Sequence, residues 1–217
     1  LMGAVSAIYQ RDMNIMIQVP YLRIWTSNCP YSGDNGAMLG QVRTYWNTNM
    51  KSVKRSLVYL FTSYAGGLAW VGVLCGDYGY SVGGPGNSVN YPANAYVWDS
   101  DVVSHEIGHN FGSPHTHNCG WAPPVDSCVT SEGGCYATPL PRKGTIMSYC
   151  HLTNFGTELR FHPRVATLIR SSAQRQLNNC IHNLTPTYSI DVAVVSITIP
   201  ANGAKVVKGT TFTPQSI

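Results

Sequence analysis

Three histidines and a glutamate in His105-Glu106-Ile107-Gly108-His109-Asn110-Phe111-Gly112-Ser113-Pro114-His115 have the types and spacing for metal-assisted hydrolysis. His105 and His109 are four residues apart, which on an α-helix puts both imidazoles on one face, one turn above the other. Neutral ring nitrogens so placed can share one Zn²⁺ at about 2.0–2.1 Å each. Gly112 can take φ > 0 and stop the helix, and Pro114 opposes its continuation. The reversed chain then brings His115 round as a third ligand. Three neutral ligands leave the ion its full charge and an open fourth position for water, which is a catalytic rather than a structural arrangement. Glu106, beside the first ligand, can take that water's proton as general base. A lone histidine pair on a helix is commonly solvated or core-satisfied; the five fixed positions together carry the argument.

The elements that must position this set are legible in outline. Asp99 or Ser100 caps the metal-bearing helix, and Val102, Val103, Ile107 and Phe111 supply its apolar face. Residues 1–13 form a short amphipathic helix, and residues 15–25 a strand that Pro20 confines to an edge or bulge. Residues 28–36 are turn chemistry, 38–50 return to helical spacing, and 57–62 read as a buried parallel strand, so a right-handed crossover is expected. Residues 66–75 form a glycine-interrupted strand, a pattern found where a ligand approaches the backbone closely. Residues 78–92 are loop, and 96–98 a last short strand before the metal-bearing helix. Residues 163–180 form the final helix, with Pro163 at its first position. From about residue 184 the pattern alternates through Ile190, Val192, Val194, Ile197 and Ile199. The chain is therefore divided into 1–182, an α/β (α+β) catalytic domain, and 184–217, the start of a β-sandwich module of immunoglobulin-like or adhesion type.

Composition narrows the setting. The 217 residues carry a net charge of +4 without a Lys/Arg block, which argues against nucleic acid as partner, and no apolar run is long enough for a membrane span. Seven cysteines, none in a C-x-x-C pair, point to an oxidising compartment and hence secretion. No signal peptide is visible at Leu1, so the chain reads as an excised or mature piece of a longer precursor. Cys119, Cys128, Cys135 and Cys150 suffice for two bridges across a loop without periodicity, and three pairings are open. No residue pattern supports a calcium site.

The H-E-x-x-H-x-x-G-x-x-H motif, with Met147 in Gly144-Thr145-Ile146-Met147-Ser148-Tyr149 downstream, resembles the metzincin zinc metallopeptidases. The resemblance implies a twisted mixed sheet with helices and a zinc cleft, and a methionine turn that underlies the metal without binding it. Gly66-Gly67-Leu68-Ala69 with Gly72 and Cys75 is similar to the reprolysin (adamalysin) branch. There an edge strand pairs with substrate, so Gly67, Leu68 and Ala69 are expected to bind it through the backbone. The same branch implies a Cys75–Cys180 bridge, which leaves Cys29 unpaired, and a latency peptide ahead of the domain. Thr116, where reprolysins usually carry Asp, is closer to pappalysins. Tyr149, two residues after Met147, is placed as in astacins and is expected to assist the oxyanion. Ser148 and Leu152 are expected in the wall of the pocket beyond the cut. His117 is assigned to solvent or a supporting position, and His151 and His162 to structure. The implied function is a monomeric zinc endopeptidase acting on protein or peptide. The alternatives are a zinc-binding adhesion module without turnover and a zinc amidase of cell-wall peptides.

Overall fold

A computed structural model describes residues 1–84, 96–136 and 140–184. The chain separates into two units, Leu1–His182 and Asn183–Ile217, and the elements below all belong to the first. The β-sandwich expectation for 184–217 falls, beyond Leu184, outside the described residues.

The order is α1 (Met2–Met13), α2 (Asn35–Asn49), β1 (Val58–Ala69), β2 (Tyr80–Gly84), α3 (Trp98–Asn110), β3 (Gly144–Ile146), β4 (Thr157–Phe161) and α4 (Pro163–Arg175). This is a mixed α+β architecture around α3, whose residues from Asp99 to Asn110 are all buried. One cluster packs Val5, Ile8, Tyr9 and Met13 of α1 and Val165 and Ile169 of α4 against Val102, Val103, Ile107 and Phe111. A second puts Leu39, Val42 and Trp46 of α2 over Val58, Tyr80 and Val82. The ends follow local chemistry: Asp34 accepts from the Ala37 amide at 2.9 Å, and His162 caps α4 by accepting from Arg164 N at 3.2 Å ahead of Pro163.

Several local expectations are corrected. Residues 15–25 form no strand; Pro20 lacks a donor, and Met16, Val19, Leu22 and Ile24 are exposed rather than packed on a sheet. The expected crossover therefore lacks its first strand, and the described residues hold two two-stranded sheets, β1–β2 and β3–β4. The two strands read at 57–62 and 66–75 are one bent element ending at Ala69. Val58–Phe61 lie opposite Tyr80–Gly83, then the chain turns, and Gly67, Leu68 and Ala69 face Gly83, Val82 and Ser81 in the opposite sense. The turn is possible because Gly66 takes φ 81°. No strand forms at Tyr96 and Val97; α3 begins at Trp98 with Val97 as its cap residue, so neither Asp99 nor Ser100 caps it.

Three disulfides brace the fold: Cys75–Cys180, Cys119–Cys135 and Cys128–Cys150. The first is the bridge the reprolysin resemblance implied, the other two resolve the open pairings, and Cys29 is free. Cys75–Cys180 closes a span of 105 residues, for which loop-closure entropy alone amounts to about 4–5 kcal/mol. Among the described residues no helix is long and apolar enough to cross a membrane.

Candidate active site

The carbonyls at the end of α3 are met by a neighbouring segment. Gly72 N donates to His109 O at 2.9 Å, and Val73 N and Leu74 N donate to Asn110 O at 2.9 and 3.1 Å. Asn110 returns hydrogen bonds to the carbonyls of Trp70 and Tyr80 at 2.9 and 3.0 Å. These bonds satisfy the helix's orphan acceptors and lock the chain just beyond β1 against the helix that carries His105 and His109. Gly112, at φ 105°, then reverses the chain as expected.

His105, His109 and His115 come together as a group able to hold a metal. The Nε2 atoms of His109 and His115 are 3.2 Å apart, against about 3.3 Å for two ligands of one tetrahedral ion at 2.0–2.1 Å. The other nitrogens are already engaged: His109 Nδ1 donates to Ser113 O at 2.7 Å, and His115 Nδ1 lies 2.9 Å from Glu132 Oε2. Each ring is thereby held in the tautomer that turns an Nε2 lone pair inward. Burial, then the neighbouring imidazoles, hold His105 well below the ordinary histidine range. Burial and His115 bring His109 to about 4, although Ser113 and Glu132 pull the other way. These two rings are therefore neutral at pH 7, as ligands must be.

Glu106 is 5 % exposed and follows His105 on α3. Burial first, and the charge of Asp101 second, push its carboxyl up to about 8. Gly67 of β1 sits directly on it: a Cβ there would overlap Glu106 Cγ and stand 2.5 Å from Oε1. Leu68 is 43 % exposed, and among the described residues Gly67–Ala69 pair only with β2, so their outer side is a free edge.

Met147 is fully buried beneath α3, with its backbone at φ 84°. Gly108 makes room for it, since a Cβ there would lie 2.5 Å from Met147 Sδ. Thr116 explains itself here: its amide and its hydroxyl both donate to Met147 O, at 2.8 and 3.1 Å, tying the segment that carries His115 to the turn at Met147. The Tyr149 ring lies 4.3 Å from His115 and 6.0 Å from His105 between centroids. Burial, then Glu132 and Glu106, raise its pKa, so the phenol keeps its proton. Ser148 is fully buried and its hydroxyl accepts from Cys150 N at 3.0 Å, whereas Leu152 is 71 % exposed.

Four features escaped sequence reasoning. Glu132 lies in irregular chain with no spacing rule linking it to His115. His117, expected at the surface or in support, is fully buried, its ring stacked on His115 at 5.1 Å, and neither nitrogen has a partner among the described residues. His151, read as structural, approaches a group that no spacing linked to it: its Nδ1 stands 3.9 Å from Asp101 Oδ2. Asp101 itself was findable, since it precedes His105 by four on one helix face. It is 1 % exposed, and burial raises its carboxyl to about 7, against a hydrogen bond from Tyr96 at 3.0 Å that lowers it.

That carboxyl keeps its proton in the folded chain up to about pH 7 but releases it near 3.8 when unfolded. The folded state binds more protons across this window, so stability falls as pH rises through it. Asp101→Asn is expected to raise the melting temperature more at pH 8 than at pH 4, with at most about 4 kcal/mol at stake; equal shifts at both pH values would refute the assignment.

Two further groups have metal-compatible spacing. Asp126, Cys128 and Cys150 include two sulfurs already bonded to each other, and the group His115, His117 and Glu132 shares His115 with the first. Comparison with the curated proteins gives no match to the chain. Residues 1–157 match the family model Reprolysin_5, metallo-peptidase family M12, and the chain belongs to that family of metallopeptidases.

Proposed function

We propose that the chain is a secreted zinc-dependent endopeptidase, with His105, His109 and His115 as metal ligands and Glu106 as general base. The observation that carries this is the 3.2 Å approach of two inward-facing imidazole nitrogens, each with its other nitrogen engaged, beside a buried glutamate. Zinc held there would supply Lewis acidity, polarising a carbonyl and bringing the pKa of a water to about 7. Glu106 accepts the proton of the attacking water on its carboxylate and passes it to the leaving amine. Substrate lies extended along Gly67–Ala69 and bonds through its main chain, as an added strand. Leu152 faces the residue beyond the cut, and Ser148 supports that wall from behind. Three disulfides support an extracellular setting. Residues 1–182 carry this chemistry as one domain, and those from 184 on belong to an appended module.

Tyr149 donates its phenolic hydrogen to the carbonyl oxygen as charge develops there. Because a bound metal would share that role, Tyr149→Phe should lower kcat about 10- to 100-fold, below the 10²–10³ typical of a sole donor. Turnover within twofold of wild type would remove the phenol from the mechanism. The function itself is tested by assaying the purified chain on denatured protein and on cell-wall peptides, with bound zinc quantified and a chelator control. Zinc-dependent cleavage of protein supports the reading. Cleavage of cell-wall peptides alone would make the chain an amidase, and one zinc per chain without turnover an adhesion module.

A further inference from the structure

His105 and His109 are aimed by the helix that carries them, but His115 stands in irregular chain beyond Gly112, and a helix cannot orient it. Something else must. The group on its Nδ1 is the carboxylate of Glu132, 17 residues on, which also accepts from Asn118 Nδ2 at 3.1 Å. His109 makes do with a neutral carbonyl in the same role. A carboxylate on the outer nitrogen fixes the tautomer, restrains ring rotation and raises the basicity of the inner nitrogen.

The loop around Glu132 is built to present it. Its backbone is left-handed at φ 62°, which a non-glycine residue keeps only when its surroundings hold it there. Cys119 N donates to Glu132 O at 2.9 Å, and Gly133 N donates to Thr130 O at 3.1 Å. Gly133 passes so close to the chain after His115 that a Cβ would stand 2.8 Å from His117 O. The Cys119–Cys135 bridge closes the loop, joining the stretch just after His115 to the stretch just after Glu132. Packing does not explain this arrangement, because residues 130–132 are exposed and the Glu132 side chain is 43 % exposed.

We propose that Glu132 is the positioning residue of the third metal ligand, and that its disulfide-closed loop is a clamp that sets how tightly zinc is retained. The inference rests on the peptidase reading of the site and deepens it. The loop's redox state and the metal's residence time are thereby coupled, since reduction frees the segment that carries the carboxylate.

The test measures zinc affinity and release by chelator competition on the full chain, with melting temperature and turnover in parallel. Glu132→Ala is expected to weaken zinc binding about 10- to 100-fold. Glu132→Gln, which keeps an acceptor but loses the charge, should fall between Glu132→Ala and wild type. A Cys119→Ser/Cys135→Ser double variant should release zinc faster than wild type in the same assay. Wild-type affinity in Glu132→Ala, with at most a lowered melting temperature, overturns the positioning role, and unchanged release from the double variant overturns the clamp. A wild-type chain that cuts protein but loses no zinc affinity in any variant leaves the peptidase reading standing without this inference. A wild-type chain that binds no zinc overturns the reading beneath it.

Discussion

Glu106→Ala is expected to lower kcat about 10²- to 10⁴-fold while one zinc per chain stays bound. The metal should stay because Glu106 belongs to none of the ligand groups, and His105, His109 and His115 are oriented by α3, Ser113 and Glu132. The fold should stay as well. Alanine is the best helix former, and the variant removes a buried carboxyl whose ionisation burial already opposes. The melting temperature should therefore hold or rise, so that lost turnover cannot be assigned to unfolding. Zinc content, melting temperature and cleavage of a denatured protein are read on the same preparation. Retained turnover at full zinc loading would mean that another group moves the proton.

Gly67→Ala is expected to cost about 10²-fold in kcat/KM by a different route. Gly67 has ordinary backbone, so alanine is not strained there; the added Cβ instead overlaps Glu106 Cγ and falls 2.5 and 2.6 Å from Oε1 and Cδ. The base must swing away from the attacking water. Gly66→Ala is the matched control: it meets nothing within 4 Å but sits at φ 81°, so it should lower stability with the base left in place. The two losses at Gly67 and Glu106 should not add. In Glu106→Ala the side chain that the new methyl strikes is gone, so Gly67→Ala in that background should cost little more. Full additivity in the four-way cycle would show that Gly67 acts through substrate pairing alone.

This Gly67 contact marks the boundary of what the chain discloses by itself. The pattern of residues 66–75 identified a glycine-interrupted strand, of a kind that marks a bulge or a close approach to the backbone, and resemblance made it an edge. It could not say that the approaching group is the base. Likewise Met147 was legible as a turn under the metal, but its support from Thr116 was not, because a substitution relative to a family pattern reveals no partner. Residues 15–25 misled for a related reason: alternation of apolar residues reports a half-buried environment, and a strand also needs a neighbour to bond with, which these residues lack among those described. α3 carries eight polar or charged residues among its buried ones, from Asp99 to Asn110, so its apolar periodicity understates how deeply it lies.

From the sequence by itself came the expected ligand set, the expected base and the turn at Gly112, and by resemblance the methionine turn and the Cys75–Cys180 bridge. The ligand spacing, the base and the turn depend on positions a few residues apart along one helix and its end, where covalent geometry fixes which side chains meet, whereas the bridge spans 105 residues and was anticipated from the family pattern alone. Only the tertiary structure decided which cysteines of the loop pair, that Glu132 holds His115, that His117 is buried against it, and why Gly67 must lack a side chain. Apart from the stacking of His117 on its near neighbour His115, each of these is a contact between residues 16 to 39 apart, and at that separation proximity is set by how whole elements pack, which no local pattern encodes.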